Sequence, residues 1–303
     1  MTEMTILQQK LASFGPVCEL KYNEPMSKHT SFRIGGNAEV FALPKNTDEL
    51  AQILKLAAEM GVKPRILGAG TNVLAPDAGI AGIVICLKDC LEGIEQVDDC
   101  RIRIMAGVTM TRAAVFAAKL GLHGMEFAHG IPGTVGGGVY MNAGAYGGEM
   151  KDIVESVEVM DYCGNIRRLS NSEMAFSYRH SRLDESDEIV ICAVVRLAQG
   201  EEAQIREQMR QLQAKRSASQ PLDMPSAGSA FKRPAQGYAA ALIDQSGLKG
   251  YQVGGAAIST KHAGFAVNLG GATAADVQAL LQQVSDIVFE KNGIRLEPEV
   301  RIW

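Results

Sequence analysis

Hydrophobic positions recur along the chain with two periods, and the switches between them mark out its elements. Over 5–14, Ile6, Leu7, Leu11 and Phe14 share one side of a short amphipathic helix, with Gly15-Pro16 as its stop. Asn46, with Glu49 three residues on, has the form of a capping box. The helix behind it carries Leu50, Ile53, Leu54, Ala57 and Ala58 to a stop at Gly61. Residues 64–67 read as a strand, followed by strands at 82–87, 91–97 and 101–105, the last two joined through Asp98-Asp99. A helix is predicted from about 109 to 120 with Gly121 beyond it. Strands follow at 153–161 and 166–169, and the apolar run 188–197 reads as a central, buried strand.

Beyond 200 the composition turns polar. A helix is predicted over 201–217, then a turn-rich loop over 220–234, a helix over 237–246 and strands near 253–258 and 264–268. Thr273 caps a long helix whose Val277, Leu280, Leu281, Val284, Ile287 and Val288 form one stripe, ending at Gly293. The last stretch alternates, with Ile294, Leu296, Val300 and Ile302 on one face and Arg295, Glu297, Glu299 and Arg301 on the other, as in a strand. Strands and helices cluster instead of alternating strictly, so the fold class is α+β with mixed or antiparallel sheets. Breaks near 88 and 200 divide the chain into 1–88, 89–200 and 201–303.

One stretch breaks both periods. Residues 130–148 hold eight glycines in nineteen positions, interleaved with Ile131, Val135, Val139, Tyr140 and Met141. Each glycine loses extra backbone entropy on ordering, which argues against helix or central strand and for a backbone that approaches something closely. Successive bare N–H groups form anion-binding concavities, so a phosphate or pyrophosphate suits the run, although a flexible linker has the same glycine content. A second glycine turn, 68–74, follows the 64–67 strand. Val73 stands where the dinucleotide fingerprint needs its last glycine, so a Rossmann reading is weak. The two turns are either two sides of one diphosphate grip or two unrelated tight turns.

Composition narrows the class. The 303 residues are 47% apolar and 21% charged with a formal net charge of −4, and no basic footprint for nucleic acid stands out. The six cysteines form no C-x-x-C pair and read as buried thiols in a reducing compartment. The first ten residues lack a signal-peptide pattern, and no apolar run approaches a membrane span, so a cytoplasmic protein without membrane insertion is expected. The five histidines have no ligand spacing, and no metal is expected. Tyr178-Arg179-His180-Ser181-Arg182 is a basic cluster suited to a carboxylate or phosphate, or simply a solvated loop. Ser229 lies in a glycine- and proline-rich loop with no nucleophile elbow, and Glu299 could equally belong to a surface row of ion pairs.

Six blocks in order resemble the UDP-N-acetylenolpyruvoylglucosamine reductase family: TSFRIGG (30–36), LGAGTNVL (67–74), GIPGTVGG (130–137) with NAGAYG (142–147), Tyr178-Arg179, PSAGSAFKRP (225–234) and LEPEVR (296–301). The resemblance implies a vanillyl-alcohol-oxidase-like (PCMH-like) module of two FAD-binding subdomains, 1–88 and 89–200, and a C-terminal substrate domain, 201–303. It implies non-covalent FAD, with NADPH as co-substrate, and reduction of an enolpyruvyl ether of a UDP-sugar. By position it makes Arg179, Ser229 and Glu299 catalytic. Arg179 would stabilise enolate charge, Ser229 would protonate the carbanion carbon, and Glu299, if protonated by burial, would bond the carboxylate. FAD contacts fall on Arg33, Leu67, Gly68, Ala69, Gly70, Thr71, Asn72, Val73, Leu74, Gly130, Ile131, Pro132, Gly133, Thr134, Gly136, Gly137, Asn142, Ala143, Gly144 and Arg301. Tyr178 falls at the substrate, and Arg216 and Lys232 are candidates for its diphosphate on charge and position. There is no room between Arg179 and 188 for the tyrosine-bearing loop that part of the family carries, so the chain resembles the shorter subtype. A monomer or weak oligomer is expected. Two rival readings are a flavin oxidase of the same fold, with His129 as its one candidate for a covalent link, and a non-catalytic nucleotide-sugar-binding protein.

Overall fold

The computed structural model describes residues 4–15 and 17–303. Pro16, half of the stop expected after the first helix, and the first three residues lie outside them. The described chain forms two compact units. The first takes the residues up to Asn23, Glu39–Ala69 and Ala81–Ala214; the second takes Glu24–Ala38, Gly70–Ile80 and Lys215–Trp303. The division differs from three contiguous stretches, because 24–38 and 70–80 join the C-terminal unit.

The first unit holds two sheets. One runs Glu19–Pro25, Asn37–Leu43, Ile80–Cys86, Arg65–Leu67 across its width, with the last pair parallel. The other has five antiparallel strands in the order Ile166–Ser170, Val154–Asp161, Glu188–Arg196, Arg101–Met105, Ile94–Gln96. Ile189 through Val195 are all buried, as befits the central position their unbroken apolar run predicts. Arg101–Met105 alternates, with Ile102 and Ile104 buried. Helix Met110–Lys119 packs through Met110, Ala113, Ala114, Ala117 and Ala118, a flat small-residue face. Gly121 follows it with φ 66°, a left-handed stop.

The second unit has its own antiparallel sheet, Ser226–Ser229, Phe265–Asn268, Ala256–Ile258, Gln252–Val253. Helix Ala274–Asn292 buries Val277, Leu280, Leu281, Val284 and Val288 against it. Thr273 caps this helix in a reciprocal pair with Asp276, and both oxygens of Asp77 take the N–H groups of Ala274 and Ala275. Phe32, Ile34 and Leu74 enter the same core, which is why their segments belong here despite their sequence position.

Three expectations change. Residues Val135–Tyr140 of the glycine run form a helix. Its propensity is poor, and docking supplies what propensity lacks. Of the alternating 294–302 stretch, only Arg301–Ile302 is a strand, paired parallel to Val73–Leu74. Leu296 and Val300 are buried as the alternation requires, but Pro298 limits the ladder and Ile302 is exposed. Asn46 caps its helix through Glu49 N–H, while the Glu49 carboxylate reaches Lys45 N–H, so the capping box is displaced by one residue.

Among the described residues no helix is long and apolar enough to cross a membrane, and no group of three or more His, Cys, Asp and Glu is placed to hold a metal. All six cysteines are free thiols. Burial pushes Cys86 up to about 11, and burial with the hydrogen bond to Glu158 pushes Cys192 up to about 12. Two pKa units mean about a hundredfold less thiolate near neutral pH. We therefore expect iodoacetamide to alkylate the exposed Cys163 of the native protein first, with Cys86 and Cys192 protected until denaturation. Mass spectrometry of a time course checks this; equal rates at the three sites would contradict it.

Candidate active site

The first unit brings two glycine turns into contact. Strand Arg65–Leu67 ends in Gly68, and a Cβ added there would lie 2.6 Å from Thr134 Oγ1. Thr134 is buried and caps helix Val135–Tyr140 by accepting from Gly137 N–H. Gly133, with φ 142°, takes a conformation closed to other residues, and its carbonyl accepts from Met110 N–H. Val135 and Gly136 donate to the carbonyls of Val108 and Ala106. A Cβ on Gly136 would meet Ala106 Cβ at 2.9 Å, and one on Gly138 would meet Met110 Sδ at 2.8 Å. These two glycines therefore serve packing, and the first amides of the helix are spent inside the protein. Pro132 and Gly137 are exposed at the rim, whereas Ile131 packs against the core.

The run continues into a hairpin. Gly144–Ala145 pairs with Gly148–Glu149 through Tyr146 and Gly147, both at positive φ, as a two-residue type I′ connection requires. Gly144 has no room for a side chain, since its Cβ would stand 2.6 Å from Glu149 Cβ. Asn142, expected among the FAD contacts, is wholly buried and left-handed, φ 43°. Its amide donates to Glu149 Oε2 at 2.8 Å and to the Ser177 carbonyl at 2.9 Å, and its oxygen accepts from Lys151 N–H. Both amide protons are consumed by these bonds, and the oxygen is turned to the Lys151 backbone. Ser177 and His180 exchange both backbone hydrogen bonds, closing a turn with Tyr178 and Arg179 at its tip. Arg179 is left-handed, φ 54°; its guanidinium donates to the Gly144 carbonyl at 3.2 Å and stacks over the Tyr178 ring at 5.0 Å.

In the second unit, Gly70 has φ 63° and a Cβ there would sit 2.0 Å from the His29 carbonyl oxygen, so only glycine fits. Ser31 donates through its N–H to the Gly70 carbonyl and through its hydroxyl to the Ser226 carbonyl. Thr30 bonds across to Ile34, and Asn268 holds the Phe32 carbonyl. The loop is thus anchored on both sides of Arg33, which is left-handed and exposed. Asn72 joins the last residues: its side chain donates to the Glu299 carbonyl and its own carbonyl accepts from Arg301 N–H. Glu299 N–H donates to the Ala230 carbonyl at 3.0 Å, and Lys232 N–H donates to the Glu297 carbonyl. Ala230 and Val300 enter the core while Ser229 is exposed and Glu299 half-buried, so Ser229 and Glu299 lie on neighbouring segments and away from the core. Gly228, φ 75°, sits where the Ser226–Ser229 register shifts, a bulge that re-aims Ser229. Of the two diphosphate candidates, Lys232 is paired with Glu297, and Arg216 is buried on helix Glu202–Ser219, donating to Gln220.

Residues 220–303 match the family described as UDP-N-acetylenolpyruvoylglucosamine reductase, C-terminal domain, and residues 38–170 match an FAD binding domain. The UDP-N-acetylenolpyruvoylglucosamine reductase of Caldanaerobacter subterraneus subsp. tengcongensis is 47% identical over 297 residues, 98% of either chain. That of Clostridioides difficile is 44% identical over 284 residues, 94% of this chain and 93% of its own. The crystal structure of the reductase from Thermus caldophilus superposes with a TM-score of 0.78 at 34% identity, covering 94% of this chain and 98% of that one.

The chain belongs to the UDP-N-acetylenolpyruvoylglucosamine reductase family. Its fold is the PCMH-like FAD-binding module followed by an α+β C-terminal domain. The residues present fit the FAD that this family's binding domain takes. Gly68 presents bare backbone beside the Thr134 hydroxyl, and neither turn contains a carboxylate. The residues that sequence reasoning missed are those that hold the family's motifs in shape: Ser31, Asn268 and the bulge glycine Gly228. All three are ordinary in sequence, and only their partners reveal them. We expect Gly68→Ala, which drives a methyl into the Thr134 hydroxyl, to weaken FAD retention at least about tenfold, since the backbone can no longer approach as closely. Flavin absorbance per protein after gel filtration checks it; stoichiometric flavin held with unchanged affinity would contradict it.

Proposed function

We infer that the protein reduces the enolpyruvyl ether of UDP-N-acetylglucosamine to the lactyl ether, UDP-N-acetylmuramate, using NADPH and non-covalent FAD, as a step in peptidoglycan precursor synthesis. It works in the cytoplasm as a monomer or weak oligomer. Support comes from family membership over 98% of the chain, joined to one observation: Ser229 and Glu299 stand on adjoining hydrogen-bonded segments. The chemistry the bound FAD supplies is relay of a hydride from NADPH to the terminal vinyl carbon.

The chain's own residues handle charge and the proton. Hydride addition leaves negative charge on the carbon bearing the ether oxygen, spread into the attached carboxylate. Arg179, fixed by its turn, supplies a preorganised cation for that enolate. Glu299 in its acid form donates a hydrogen bond to the carboxylate. Ser229 gives its hydroxyl proton to the ether-bearing carbon, completing the lactyl group. Serine is a weak acid, but a carbanion is a strong enough base to take its proton once geometry is set. The glycine turns at 68–70 and 130–134, with Thr71, Asn72, Val73, Leu74, Arg33, Ala143, Gly144 and Arg301, hold the flavin. Tyr178, Arg216 and Lys232 hold the nucleotide sugar, Lys232 by exchanging its Glu297 partner for a phosphate.

The deciding experiment is anaerobic. NADPH bleaches the flavin, and the enolpyruvyl nucleotide sugar then restores its colour within a turnover time. Restoration by oxygen alone would favour an oxidase, and a colourless protein that cannot be reconstituted would remove the flavin reading. Ser229→Ala should bleach normally yet turn over about a thousandfold more slowly, the usual worth of a placed general acid. Wild-type turnover in that variant would remove Ser229 as the proton donor.

A further inference from the structure

The turn carrying Arg179 is held from outside itself. Three bonds tie it to the last residue of helix Val135–Tyr140 and the stretch just after it. Ser181 Oγ donates to the Tyr140 carbonyl at 2.7 Å, Asn142 Nδ2 donates to the Ser177 carbonyl at 2.9 Å, and Arg179 Nη2 donates to the Gly144 carbonyl at 3.2 Å. The middle bond has a special place. The Ser177 carbonyl also accepts the His180 N–H that closes the turn. Asn142 therefore grips the atom on which the turn's geometry depends.

Asn142 is built for that grip. It is wholly buried, and its φ of 43° lies in the left-handed region, which asparagine tolerates better than other side chains. Both ends of its amide are engaged. Lys151 N–H fixes the oxygen, so the nitrogen must face Glu149 and Ser177. Glu149 is itself held, by an ion pair with Lys151 and by the hairpin in which it pairs with Gly144. The amide thus links the hairpin supplying the Gly144 carbonyl to the turn supplying Arg179. Arg179, also left-handed, has its backbone and its guanidinium located by the same short segment.

We propose that Asn142 is a positioning residue for Arg179: it sets the Ser177–His180 turn so that the guanidinium meets the developing enolate, and it does not touch the cofactor. The proposal rests on Arg179 stabilising that charge. It places the residue's effect in the step where the substrate is reduced, not in flavin binding or reduction by NADPH.

Two variants separate the side chain from the backbone. Asn142→Asp keeps shape and the acceptor for Lys151 N–H but removes the donors to Glu149 and Ser177. Asn142→Gly keeps the left-handed backbone without strain and avoids setting one carboxylate against another. With flavin-loaded enzyme, each should slow substrate-driven reoxidation about 10- to 100-fold, the range that small misplacements of a catalytic group produce. Flavin content and the rate of bleaching by NADPH should stay within about threefold of the parent. In an Arg179→Ala background the same substitutions should cost less than about twofold, because the group they position is gone. Equal slowing of both half-reactions, or the same loss with and without Arg179, would overturn the proposal and leave Asn142 a general structural clamp. Reoxidation of Arg179→Ala itself at the parent rate would show that the assigned role of Arg179 fails, and the proposal with it; unimpaired Asn142 variants beside an impaired Arg179→Ala would refute the positioning role alone.

Discussion

The first unit depends on a contact between two places that have almost nothing to touch with. Gly68 lies so near the Thr134 hydroxyl that a methyl group could not stand between them. The hydroxyl is committed twice over, capping the Gly137 N–H and facing Gly68. Behind it, the glycine-rich helix survives because it docks: Gly136 and Gly138 press its backbone onto Ala106 and Met110 at distances no larger residue allows. Poor intrinsic helicity is offset by close packing and by bonds to the Ala106 and Val108 carbonyls.

The second unit adds a web of hydrogen bonds to close packing of the same kind at Gly70. Asn72, Ala230, Glu299 and Arg301 form a chain of backbone and amide bonds that brings three distant stretches of sequence to one place. Every bond uses a main-chain group on at least one side. The backbone at Glu299 and Arg301 is therefore placed by bonds to Ala230 and Asn72.

What could be read from sequence was local. The cap at Thr273, the left-handed stops at Gly121 and Gly293 and the central strand expected within 188–197 each follow from a few adjacent residues, and each is present. The site motifs were legible as composition, but the duties inside them were not. Asn142 sits amid glycines and reads as part of a cradle; its work is fixed by Ser177 and Glu149, one of them 35 residues away. Helix Val135–Tyr140 defied its own propensity because the reason for it lies at Ala106 and Met110. The final strand shrank to two residues because alternation records which side chains face the core, not whether a partner strand runs alongside.

Asp77 clamps the start of helix Ala274–Asn292, while Phe32, Ile34 and Leu74 sit in that helix's core. On a ribosome these early segments emerge some two hundred residues before the sheet and helix they belong to. They must wait, with apolar side chains uncovered, until the end of the chain is released, and the unit closes only by contacts of high sequence separation. A fragment beginning near residue 200 would carry the whole sheet and helix yet lack three core side chains and the Asp77 clamp on the helix start. The C-terminal unit of this enzyme is thus a late-folding one whose independence in sequence is only apparent.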